Sequence, residues 1–195
     1  TAHLIRKGVR AADVVGIVLG NTAVHLVAVL ALAKIGAVCI SVAPRKLRRT
    51  ASPDWTALRL KHVLVPEAAT TTFGSAGIAI GAQLLVWNDQ ENQRPQVPEA
   101  AIAAPSTPGE FPGDHGDTVF KIALSSGATG RQKAVPWTHH QFLAQLHLQG
   151  AVRPFGPGIR LLPLVGFEAT VGIDACLRQL CAGGTVVTVP RASID

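Results

Sequence analysis

Short β-branched apolar runs alternate with helical repeats along this chain, which is the rhythm of a layered α/β structure. Residues 14–19 (VVGIVL) form a run of the kind buried on both faces of a parallel sheet, closed by Gly20 and Asn21. Asn21 or Thr22 can cap the helix that follows. In that helix Val24, Val27, Ala28, Ala31 and Ile35 recur at helical spacing until Gly36, a residue suited to the left-handed position after a helix end. Residues 37–42 (AVCISV) predict a second buried strand, so 14–42 reads as one strand, helix, strand unit.

Further along, 58–65 (LRLKHVLV) predicts a short helix end feeding a strand, and 77–80 and 84–87 are two more strand candidates. Residues 88–117 are dense in Pro, Gly, Asn and acidic side chains, with little periodicity, as a surface loop or linker would be. The rhythm resumes with strands at 119–124 and 134–137, then a helix over about 140–149 with Thr138 as its N-cap. A strand over about 160–164, a helix running to Cys181, a stop at Gly183 and Gly184, and a buried strand at 185–189 complete the pattern. The expected organisation is therefore a first α/β portion at 1–87, a linker at 88–117 and a second α/β portion at 118–195. The fold class is α/β, a mostly parallel sheet with flanking helices.

Composition narrows the partners. Hydrophobic residues make up 48% and charged residues 15% of 195, with a mean hydropathy of +0.31, too apolar for a disordered chain. Eighteen Lys and Arg against 12 Asp and Glu give 18 − 12 = +6, a surface that attracts anions. Arg45, Lys46, Arg48 and Arg49 cluster, but no aromatic residues interleave to stack bases, so a solvated face is expected there, with no nucleic acid as partner. Residues 23–43 are long enough to cross a bilayer, yet His25, Lys34 and Gly36 interrupt them, and a buried helix and strand are expected in place of a membrane span. Cys39, Cys176 and Cys181 have no CxxC spacing, so neither a disulfide framework nor a zinc site is indicated, which fits a reducing cytoplasm. The chain starts at Thr1 and contains no Met, so a fragment of a longer protein is expected.

One segment carries chemistry. Residues 124–135 (LSSGATGRQKAV) gather the hydroxyls of Ser125, Ser126 and Thr129, the glycines Gly127 and Gly130, and the cations Arg131 and Lys133 directly after a buried strand. Glycines let backbone N–H groups converge on one concavity, hydroxyls add neutral donors, and a Lys meets the outer phosphates of a polyphosphate. The spacing fits neither G-x-x-x-x-G-K-[ST] nor G-x-G-x-x-G, so a P-loop NTPase and a Rossmann dehydrogenase both lose support.

The segment is similar to the phosphate-binding motif of AMP-forming adenylating enzymes, roughly [YLI]-[ST]-S-G-[ST]-T-G-x-P-K-G-V. Those enzymes include acyl-CoA synthetases, nonribosomal-peptide adenylation domains and luciferases. Ser126, Gly127, Thr129, Gly130, Lys133 and Val135 match in register, whereas Ala128, Gln132 and Ala134 depart from the pattern. Residues 8–38 resemble the family's N-terminal G-V-x-x-G-D-x-V stretch and its helix ending in Lys-x-Gly-Ala, with Ala12 where glycine is usual. Trp137, Thr138 and His139 resemble the continuation after the phosphate loop, and residues 162–190 resemble the next family segment.

The resemblance implies a fold, a reaction and a site. The fold would be part of the large N-terminal domain of an adenylating enzyme. The reaction would join a small-molecule carboxylic acid and ATP, with Mg2+, into an acyl adenylate, with a thiol such as CoA as a possible acceptor. Lys133 would act in catalysis, and Ser125, Ser126, Gly127, Thr129 and Gly130 would join it in holding the triphosphate. Phe167 and Glu168 align with the Phe-Asp pair of amino-acid-activating members, where the acid pairs with a substrate ammonium; the position of Glu168 just where the next helix should begin favours instead an acid at a helix N-terminus. No metal site is assigned: the adjacent His139 and His140 have no ligand-spaced partners and suit a helix start. The family's magnesium-binding Tyr-Gly-x-Thr-Glu motif, its Thr-Gly-Asp motif and its C-terminal lysine lie downstream of the region matched. The chain has no Tyr, so these residues alone are expected to bind nucleotide weakly and not to turn over. The alternative is a non-catalytic nucleotide-binding or assembly remnant, which the changes at Ala128, Gln132 and Ala134 would suit.

Overall fold

The computed structural model describes residues 1–43, 57–71, 81–88, 116–125, 133–150 and 155–188. In chain order these form α1 (Ala2–Arg6), β1 (Val14–Ile17), α2 (Ala23–Ile35), β2 (Val38–Ser41), β3 (Leu60–Pro66) and a short 3-10 turn (Glu67–Ala69). Then follow β4 (Gln83–Trp87), β5 (Val119–Leu124), β6 (Ala134–Thr138), α3 (His139–Gly150), β7 (Arg160–Leu161), α4 (Thr170–Cys181) and β8 (Thr185–Val186).

Among the described residues the main sheet has the order β4-β3-β1-β2-β5-β6. Its first five strands run parallel and β6 returns antiparallel to β5. Residues before and after the expected linker thus share one sheet, joined where Cys39 of β2 faces Lys121 of β5. This is the mostly parallel sheet with flanking helices that the pattern of apolar runs predicted.

The first strand, helix, strand unit forms for the reasons legible in its sequence. Thr22 caps α2 by accepting a hydrogen bond from the His25 N–H, and Gly36 ends it in the left-handed region at φ 80°. The Ala37 N–H then closes on the Leu32 carbonyl at 3.0 Å, which turns the chain directly into β2. The central strands are buried on both faces, as expected of parallel strands beneath helices. Val15, Ile17 and Cys39 join Leu26, Val29 and Leu32 of α2, together with Phe142, Phe167, Ile173 and Leu177, in the larger core. Val18, Ile40, Val42, Leu60, Val63 and Val65 form a smaller one. The two lists alternate along β1, β2 and β3, as side chains on a pleated strand must.

Thr138 caps α3 in a reciprocal arrangement that the sequence reading named only in half. The Gln141 N–H donates to Thr138 Oγ1 at 3.2 Å while the Thr138 N–H donates to Gln141 Oε1 at 3.1 Å, a capping box.

Several expectations are corrected. The helix end expected at the start of 58–65 is a turn: among the described residues, 57–59 form a turn with Arg59 at φ 49°. The strand expected over 160–164 pairs only at Arg160–Leu161, because Pro163 has no N–H to give and Leu162 and Leu164 lie exposed. Its partner β8 is likewise two residues long and half-exposed rather than a buried run, since this second sheet has only those two strands among the described residues. The strand candidate at 77–80, the cationic cluster at 45–49 and most of the linker, 89–115, lie outside the described residues.

Candidate functional site

Because β1, β2 and β5 run parallel, their carboxyl ends share one edge of the sheet, the edge at which open α/β sheets bind ligands. The segment 124–135 leaves from this edge. β5 ends at Leu124, which pairs with Ala134 at the start of β6. Beyond that rung the Ser125 N–H donates to the Lys133 carbonyl at 2.9 Å, and the Lys133 N–H donates back to Ser125 Oγ at 2.8 Å. Ser125 thus clips the neck of the hairpin with main chain and side chain together, and its hydroxyl keeps a proton to donate. Lys133 is exposed at the neck. Ser126, Gly127, Thr129 and Gly130 fall in residues 126–132, which lie outside the described residues.

The second candidate pair sits at the same edge. Asn21, just after β1, holds a turn more than a hundred residues away: its Oδ1 accepts from the Phe167 N–H at 2.8 Å and its Nδ2 donates to the Val165 carbonyl at 3.2 Å. Phe167 is fully buried in the core, its ring edge-on to His25 at 5.3 Å between centroids. Glu168 is half-buried, and its carboxylate lies over Gly166, where a Cβ would collide with it. α4 starts two residues later, capped by Ala169, and its first turn carries no acid. Glu168 therefore stands directly before the N-cap, at the N-terminal end of α4 but ahead of its first turn. The turn is pressed onto α4: a Cβ at Gly172 would meet the carbonyl oxygens of Gly166 and Val165 at 2.6 and 2.7 Å. Glycine is required there by close backbone approach.

Beneath the edge lies a buried ionic pair. Lys121, three residues before the end of β5, places Nζ 2.9 Å from Asp174 Oδ1 on α4, with both side chains almost fully excluded from solvent. Burial raises the Asp174 carboxyl above its ordinary range, against the opposing charge and hydrogen bond of Lys121 and the charge of Arg178. Nearby His25 bonds to Ser41 Oγ at 2.8 Å through Nε2. Burial lowers this imidazole to about 4, a backbone bond to Gly20 works the other way, and the Lys121 charge lowers it further, so His25 is neutral near pH 7.

His139 stacks on Phe120 at 4.8 Å, and His140 Nδ1 lies 3.4 Å from Asp117 Oδ1. Both occupy the start of α3. Among the described residues no three His, Cys, Asp or Glu side chains come together as a metal site. Cys39 and Cys176 are buried free thiols and Cys181 is an exposed one.

The sequence pattern of AMP-binding enzymes matches residues 1–194. This chain belongs to the AMP-binding enzyme family. Among curated proteins it is similar to the phosphinothricin tripeptide synthetase PhsC of Streptomyces viridochromogenes, at 28% identity over 97% of this chain and 16% of that protein. It is also similar to the malformin synthetase mlfA of Aspergillus homomorphus, at 29% identity over 97% of this chain and 3% of that protein. Its fold is similar to the ATP-bound MatB structure from Rhodopseudomonas palustris, with a TM-score of 0.71 at 20% identity over 97% of this chain and 37% of that one. The chain thus spans a small part of the length of the relatives it matches.

Three features of the site escaped sequence reasoning. Asn21 reads from sequence only as punctuation or a cap, because a side chain that bonds a distant turn leaves no local signal. Lys121 interrupts the apolar run of β5, and Asp174 sits in the buried stripe of α4; a charge inside each apolar stretch was the available sign that two elements pair. Gly172 looks from sequence like a helix-weakening residue, and its reason is the turn above it.

Proposed function

We propose that this chain forms the nucleotide-gripping part of an adenylating ligase, in which a carboxylic acid and ATP give an acyl adenylate and pyrophosphate. One observation carries the reading: a Ser125–Lys133 clip closes the neck of a Gly- and hydroxyl-rich loop at the carboxyl end of a parallel strand. In the proposed step a carboxylate oxygen bonds to the α-phosphorus, the bond to the bridging oxygen of the β-phosphate breaks, and pyrophosphate leaves with those electrons. The protein's task in such a displacement is positioning and neutralisation of charge. Lys133 supplies a cation to the departing pyrophosphate. Ser125, Ser126 and Thr129 supply hydroxyl donors, and Gly127 and Gly130 supply the backbone freedom that a phosphate-binding segment requires.

ATP as ligand is further supported by the MatB relative, which is described as ATP-bound. Mg2+ would arrive with the nucleotide, and no step is assigned to it. Phe167 anchors the turn from the core side while Glu168 faces the incoming acid. A carboxylate there suits a substrate bearing an ammonium group, in keeping with the peptide synthetases among the relatives. The acyl acceptor would be a thiol, CoA or a carrier. Since the chain spans 37% of the MatB chain, full turnover is proposed for a longer assembly, with these residues alone binding nucleotide weakly.

A second reading, a nucleotide-binding or assembly remnant, is favoured by Ala128, Gln132 and Ala134, which remove a hydroxyl, a stiffening proline and a glycine from the motif. Carboxylate-dependent exchange of pyrophosphate into ATP by the full protein separates the two. Exchange that Lys133→Ala abolishes supports the ligase, and ATP binding with no exchange for any acid supports the remnant.

A further inference from the structure

The turn that carries Glu168 is fixed from three sides. Asn21 holds it from the end of β1 by two hydrogen bonds, at 2.8 Å to the Phe167 N–H and 3.2 Å to the Val165 carbonyl. Gly172 lets it lie against α4, with the Gly166 and Val165 oxygens within 2.7 Å of where a Cβ would stand. Phe167 plugs it into the core against His25. Of these three, the Phe167 ring and the Gly172 approach are packing contacts that the fold itself needs. Asn21 differs. It is half-exposed, the cap of α2 is Thr22 rather than Asn21, and both of its bonds go to backbone atoms of the turn. A side chain with one donor and one acceptor aimed at successive polar groups of a distant segment sets where that segment sits and how it is rotated.

We propose that Asn21 is a positioning residue for the carboxylic substrate: it fixes the register of the 165–168 turn at the carboxyl edge, and through it the Glu168 carboxylate. The proposal rests on the adenylation reading above. It separates the two substrates of that reaction, because the nucleotide grip belongs to the Ser125–Lys133 hairpin, whereas both bonds of the Asn21 amide go to the 165–168 turn. Loss of the tie lets the turn and Glu168 sample other positions, so affinity for the acid falls while affinity for ATP holds.

The test is pyrophosphate exchange by the full protein, driven separately by each of the twenty common L-amino acids, by benzoate and by octanoate. The acid giving the fastest exchange is then used to measure KM values. Asn21→Ala is expected to raise the KM for that acid by about tenfold or more and to leave the KM for ATP within about twofold. Asn21→Asp keeps the acceptor for the Phe167 N–H but loses the donor to Val165, and is expected to fall between the two. Retention of the wild-type melting temperature by either variant makes the comparison one of positioning rather than folding. Equal changes in both KM values, or no change in either, would overturn the proposal while leaving the adenylation reading intact. Absence of exchange by the wild-type protein with every acid would overturn that reading, and this proposal with it.

Discussion

Lys121 and Asp174 join β5 to α4 through a 2.9 Å ion pair in the interior, directly below the edge that carries the Ser125–Lys133 clip and the Glu168 turn. A cation in a central strand is expensive to bury, and a partner this close offsets the loss of hydration only while both members are present.

Removing one member is therefore expected to be worse than removing both. Lys121→Ala or Asp174→Ala should each cost about 3–5 kcal/mol by leaving an uncompensated buried charge, whereas Lys121→Met with Asp174→Leu should lose much less. Chemical denaturation of the three variants reads this directly. If the double variant loses as much as the two single losses added together, the pair carries no energetic coupling.

His25 predicts an acid-sensitive fold. Its imidazole lies at about 4 when folded against an ordinary 6.5, so below pH 6.5 the unfolded chain binds the extra proton. That contribution to stability is complete above pH 6.5 and is lost as the pH falls toward 4. The loss is on the order of 2–4 kcal/mol. Asp13 adds to it: burial opposes its ionisation, but bonds from Lys61, the Arg10 N–H and His62 win and lower its carboxyl below 3.8, so acid removes that contribution as well. Asp174 has the opposite sign: its carboxyl is raised by burial, so its contribution is fully present below 3.8 and is lost as the pH rises from there through its higher folded value. Comparing the wild type with His25→Gln between about pH 7 and about pH 4 isolates the histidine. The variant should show the shallower dependence, and an identical slope would exclude His25 as the cause.

The cysteines should differ sharply in reactivity. Burial pushes the Cys39 thiol to about 12, with the Lys121 charge lowering it only in part, and the Cys176 thiol to about 11. Cys181 is exposed. Alkylation of the native protein near pH 8 should label Cys181 first and the other two only in denaturant, as read by peptide mass mapping. Rapid native labelling of Cys39 would mean the β2–β5 region opens far more readily than its burial implies.

How much of this was legible in the sequence depends on the range of the interactions involved. The α2 unit was readable almost to the residue, because Thr22, the apolar repeat and Gly36 are local signals that act within one turn of helix. β7 and β8 were overestimated, since apolar runs at 160–164 and 185–189 report hydrophobicity and not the partner strand they lack. Residues 124–135 stood out in the sequence as a motif, and the Ser125–Lys133 clip at their ends follows from a hairpin that residue spacing alone does not specify. Asn21 and the Lys121–Asp174 pair depend on contacts across 53 to 146 residues, for which one sequence holds no direct record.

The central claim is that the hairpin around Lys133 grips the triphosphate of ATP, and titration calorimetry of the 195-residue chain with ATP and with adenosine tests it most directly. ATP should bind more tightly than adenosine. Lys133→Ala should weaken ATP by about tenfold or more, roughly 1.4 kcal/mol, and leave adenosine unchanged. Equal affinities for ATP and adenosine, or an ATP affinity indifferent to Lys133→Ala, would contradict the account.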